Sequence, residues 1–135
     1  MKLVTRYGLS GIGGLALLSS GHWLRARRLI IGQPGEYLLG VLPNFAAAIA
    51  IVFVILSIWT DQNLPMNFRA ARIRFLLSAT ISGIGLVVWE FMQRIGHKLV
   101  FDIHDILATA IGLCAAALLF QAITPKIIHD AGQTG

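Results

Sequence analysis

The chain has 135 residues, of which 56% are hydrophobic and 13% charged, with a mean hydropathy of +0.76. That apolar balance lies outside the range of soluble domains and, at this length, describes one domain, residues 1–135, placed in a membrane. The formal charge of +5 does not make a nucleic-acid surface, because Lys and Arg are scattered between apolar runs without interleaved aromatics. Basic residues that flank apolar runs fit lipid headgroups instead.

An all-α fold is expected, a bundle of four transmembrane helices with spans at roughly 7–24, 37–60, 73–94 and 103–125. About 20 residues cross the hydrocarbon as a helix, since each rises about 1.5 Å. The first span holds Gly8, Gly11, Gly13, Gly14 and Gly21. Glycine weakens a soluble helix, but in lipid no water competes for the backbone. Lys2 and Arg6 ahead of an apolar stretch also resemble a signal peptide. Ser19-Ser20-Gly21 is a poor cleavage site, so a retained first helix is expected. The Trp23–Ile31 stretch mixes apolar residues with Arg25, Arg27 and Arg28, as an interfacial segment does.

Pro43 falls one turn into the second span and is expected to bend it or loosen its first turn. Tyr7, Trp23, Tyr37, Trp59, Phe75 and Trp89 lie near span ends, where aromatic rings favour the headgroup layer. Small residues recur four apart at Ser10 and Gly14, Ala46 and Ala50, Ala79 and Gly83, and Ala108, Gly112 and Ala116. Such pairs let helices approach closely, within the chain or against another subunit. Cys114 lies in an apolar stretch and reads as a packing residue. With the N-terminus inside, Lys2, Arg6, Arg69, Arg72, Arg74 and Lys126 face in, while Arg25, Arg27, Arg28, Arg94 and Lys98 face out. The positive-inside bias is therefore slight.

The polar residues gather between the third and fourth spans. Glu90, Gln93 and Arg94 share a helix face, and Glu90 precedes Arg94 by four, the favourable order for an ion pair. Asp102 suits an N-cap, and Asp105 meets the positive end of the helix dipole. A carboxylate close to hydrocarbon is costly and suggests a site. His97, Asp102, His104 and Asp105 match no established metal-ligand spacing, so no metal is assigned. No Ser or Cys nucleophile stands near a His in a recognisable dyad, and neither a catalytic residue nor a cofactor is assigned.

Glu90-x-x-Gln93, then Phe101-Asp102-x-x-Asp105, then Gly112, together with Leu42-Pro43-Asn44-Phe45, resembles the VanZ-like family of small bacterial membrane proteins. The resemblance covers residues 40–120 and is strongest over 90–112. It implies a compact multi-pass bundle in the bacterial cytoplasmic membrane, with the signature polar residues clustered at one face. Some members are linked to low-level resistance to glycopeptide antibiotics. The chain departs from the pattern in having Leu99, with Lys98 adjacent, where an arginine often precedes the Phe-Asp pair, and Thr109 where an asparagine is common. Gln33-Pro34-Gly35-Glu36 replaces an Asp, Lys and His pattern ahead of the second span. A lysine does not replace the guanidinium fork.

The expected site is therefore Glu90, Gln93, Arg94, Lys98, Asp102 and Asp105, a pocket for a lipid headgroup, cell-wall precursor or glycopeptide. The expected partners are membrane lipids and, through the small-residue faces, other membrane subunits; no nucleic acid is expected. The competing expectation is an accessory structural subunit of a larger respiratory or photosynthetic complex.

Overall fold

The structure, a computed structural model, describes residues 1–27, 32–62, 67–95 and 103–126, without the side chains of 93–95. Four helices follow one another: α1 (Leu3–Ala26), α2 (Gly32–Asp61), α3 (Phe68–Ile95) and α4 (Ile103–Ile123). No strand occurs among the described residues.

The helices outrun the expected spans, because uncharged runs delimit what can lie in hydrocarbon, not where backbone hydrogen bonding stops. α2 starts at Gly32 and takes in Gln33-Pro34-Gly35-Glu36. Pro34 is tolerated there, since the first N–H groups of a helix have no partner to lose. α2 also runs through Pro43. α3 begins on a capped turn, the Asn67 Oδ1 accepting from the Ala70 N–H at 2.8 Å.

Three helices, α2, α3 over Phe68–Met92, and α4, are long and apolar enough to cross a membrane. α1, with 24 residues, is about 36 Å long and has the length. Its glycines, serines and His22 keep its composition below that of the other three.

α2 is the central helix, packing against α1, α3 and α4. Tyr7, Gly11, Gly14 and Gly21 form the buried stripe of α1. A Cβ added to Gly14 would sit 2.8 Å from the Ala50 Cα, so the two backbones touch there. Gly112 plays the same part on α4, where an added Cβ would lie 2.6 Å from the Phe45 carbonyl oxygen. Three expected small-residue surfaces thus meet within this chain: Gly14 on Ala50, and Gly112 on the α2 turn ahead of Ala50.

Contacts between ends fix an up-down-up-down order. At one end, the Tyr7 hydroxyl hydrogen-bonds the Thr124 hydroxyl at 2.8 Å, and Arg6 donates to the Ile123 carbonyl at 3.1 Å. Phe120 stacks on Phe75 with ring centres 4.5 Å apart, and Tyr7 and Phe53 complete this aromatic core. Tyr7 and Phe75 depart from the expected aromatic belt, since both are buried. A buried tyrosine needs a partner for its hydroxyl, and Thr124 supplies it. Trp23, Tyr37 and Trp89 are exposed at the opposite end, as a headgroup belt requires.

Candidate functional site

The end away from Tyr7 is built differently. There the inward stripe of α3, which runs through Ala71, Phe75, Ser78, Ser82 and Leu86, finishes on Glu90. Both of its serines are satisfied: Ser78 donates to the Arg74 carbonyl at 2.9 Å within the helix and Ser82 to the Ala48 carbonyl of α2 at 3.3 Å. Glu90 is only 6% exposed, and its Oε1 accepts from the Asn44 Nδ2 of α2 at 3.0 Å. A carboxylate held this far from water needs such a donor.

Glu90 lines a cavity of about 550 Å³ to which all four helices contribute. α1 supplies Leu18, His22 and Arg25; α2 supplies Gly40, Pro43, Asn44 and Ala47; α3 adds Leu86 and Trp89 beside Glu90; and α4 gives Asp105. Arg25 spends one N–H on the Gly40 carbonyl at 3.0 Å, in the turn that precedes Pro43. No buried side-chain polar atom among the described residues lacks a hydrogen-bond partner. Glu90 lines the cavity, with Asn44 as the described donor to its carboxylate.

Of the six expected site residues, the structure brings Glu90 and Asp105 to this one cavity, although they lie on different helices. Asp105 occupies the first turn of α4, and Thr109 donates to its carbonyl at 3.0 Å. Gln93 and Arg94 continue α3, but their side chains lie outside the described residues, so the expected Glu90–Arg94 pair does too. Lys98 and Asp102, with its expected capping role, lie outside them as well. His104 is engaged with Tyr37: Nδ1 and hydroxyl are 2.8 Å apart, and the rings meet edge to face at 5.3 Å. Among the described residues, no three His, Cys, Asp or Glu side chains are placed to hold a metal ion.

His22, Arg25 and Asn44 were not among the expected site residues. Asn44 carried a signal, being an amide in the middle of the uncharged run 37–60. Arg25 and His22 carried none, because a basic residue at the end of a span is ordinarily a headgroup contact.

Fold and cavity together define a small all-helical protein with membrane-length apolar helices and a charged cavity at one end of the bundle. No protein-family model, curated protein or solved structure matches the chain.

Proposed function

We propose that the chain is a four-span protein of a bacterial cytoplasmic membrane, VanZ-like, whose cavity at Glu90 binds an envelope molecule: a lipid headgroup, a cell-wall precursor or a glycopeptide. The observation that carries this reading is the buried Glu90 carboxylate, held by Asn44 at the wall of a half-open cavity to which all four helices contribute. Pockets of this size, apolar with a few convergent polar groups, are the usual form of ligand sites. A fourth span is supported by where the residues of α1 point. Gly11, Gly14 and Gly21 turn toward α2, while Leu9, Ile12, Leu15 and Leu17 are exposed, as lipid contact requires.

The direct trial is glycopeptide susceptibility in a sensitised host, comparing the wild type with Asp105→Asn at matched expression. As a simple helix-start acid, Asp105 would contribute only about 0.3–1 kcal/mol through the helix dipole, so the variant should fold and insert. Protection by the wild type, lost in Asp105→Asn, is the expected result. Equal protection by both removes Asp105 from the site.

Topology gives a second expectation, with both termini cytoplasmic and the cavity end outward. In a background with Cys114 replaced, a cysteine at Gln33, exposed at the cavity end, should react with an impermeant reagent added outside. A cysteine at Gln62, exposed at the other end, should react only after the membrane is opened. The reverse pattern inverts the assignment.

One observation favours the accessory-subunit reading. Gly13, Ala16 and Ser20 form an exposed small face on α1, and nothing stands within 4 Å of a Cβ added to Gly13. A helix of another subunit packs well on such a face. Native sizing after gentle detergent extraction separates the two, since an accessory subunit travels with its complex.

A further inference from the structure

The cavity carries both signs of charge, on separate walls. Its basic side chains, Arg25 and His22, stand on α1, while its carboxylates, Glu90 and Asp105, stand on α3 and α4. Each wall constrains the occupant. A purely anionic ligand would add negative charge beside Glu90, whose described partner is a neutral amide. A purely cationic one would leave unused the guanidinium of Arg25, which is exposed and spends one described N–H on the Gly40 carbonyl. A ligand carrying both signs, separated along its length, satisfies both walls.

The remaining lining says what joins those charges. Leu18, Leu86 and Trp89 make an apolar wall, which suits acyl chain or glycerol better than a small polar solute. Trp89 is exposed as well as lining the cavity, and Trp23 and Tyr37 are exposed at the same end. Exposed aromatics of this kind mark the depth at which phospholipid headgroups lie. The site therefore stands where headgroups are.

We propose that the occupant is a phospholipid with a zwitterionic headgroup bearing a primary ammonium, its phosphate against Arg25 and His22 and its ammonium against the carboxylate of Glu90. This rests on the ligand-site reading above and narrows it to one chemical class. The guanidinium fork suits phosphate, and a primary ammonium donates to a carboxylate where a quaternary one cannot.

Trp89 offers the readout. The chain has three tryptophans, and Trp23→Phe with Trp59→Phe leaves Trp89 as its one tryptophan. Its emission is followed in detergent while short-chain phosphatidylethanolamine, phosphatidylglycerol or tail-less phosphoethanolamine is added. The ethanolamine lipid should give a saturable change at a concentration at least about tenfold lower than phosphatidylglycerol, the expected scale for one charge-assisted hydrogen bond. Phosphoethanolamine alone should bind more weakly than the lipid. Glu90→Gln should abolish the preference while leaving phosphatidylglycerol binding in place.

Equal or tighter binding of phosphatidylglycerol overturns the zwitterion assignment and leaves the ligand site standing. Phosphoethanolamine binding as tightly as the lipid overturns the lipid assignment in favour of a soluble phosphoamine. A Trp89 emission that responds saturably to none of the three overturns this proposal, and the ligand site itself is then judged by the susceptibility trial. The wild-type comparison of the two lipids needs no variant, so the proposal can fail even if Glu90→Gln does not fold.

Discussion

Gly112→Ala and Gly14→Ala are each expected to destabilise the bundle by about 1–3 kcal/mol, the usual effect of forcing atoms into a packed interface. The reason is backbone contact. A Cβ at position 112 would come within 2.6 Å of the Phe45 carbonyl oxygen and 2.9 Å of the Ala48 Cβ. At position 14 it would meet the Ala50 N and Cα at 2.8 Å. Neither obstacle is the flexible end of a side chain, so whole helices must move apart. Gly13→Ala is the control, because nothing lies within 4 Å of its added Cβ. That variant should be neutral or slightly stabilised, since alanine restrains the unfolded chain. Thermal unfolding of the three variants in one detergent decides the matter. If all three behave alike, α1 and α4 do not cross α2 at these glycines.

Removing Asn44 should be more damaging than removing the carboxylate it serves. Asn44→Ala leaves the buried Glu90 oxygen without its donor, an unmade hydrogen bond that costs about 1–3 kcal/mol and more when the group is charged. Glu90→Ala deletes the charge together with the need for a donor. Once Glu90 is gone, the further loss of Asn44 should matter little, so the double variant should be less destabilised than the sum of the singles. Purely additive effects would mean that Asn44 and Glu90 do not interact.

Much of the helical order was legible in the sequence, because an uncharged run near 20 residues has few alternatives to a helix in lipid. Asp105 in the first turn of the last helix was equally legible, from its place just ahead of an apolar run. Other features depended on three-dimensional packing. Nothing along the chain tells Tyr7 from Trp23 as a span-end aromatic, yet Tyr7 is buried, its hydroxyl hydrogen-bonded to that of Thr124, far away in sequence. The glycines of α1 read as a weakness of the helix, whereas Gly11, Gly14 and Gly21 are the surface that fits it to α2. Their spacing of three and seven was visible, but the partner was not.

The site was half legible for a similar reason. Glu90 and Asp105 stood out as acids beside apolar runs, and local spacing then paired Glu90 with Arg94 on its own helix. That pair lies outside the described residues, and the partner described for Glu90 is Asn44, which reaches it from α2 at 3.0 Å. A contact between residues so far apart in sequence arises only once the bundle is assembled. Arg25 and His22 join the cavity on the same terms, brought there by the packing of α1 on α2.

The central claim is that the cavity at Glu90 holds an envelope molecule, and native mass spectrometry of the protein released from detergent tests it most directly. The account predicts that the wild type carries one bound molecule and that Glu90→Gln, folded and extracted in the same way, has lost most of it. A wild type free of any bound molecule, or a Glu90→Gln variant that retains it to the same extent, would contradict the account.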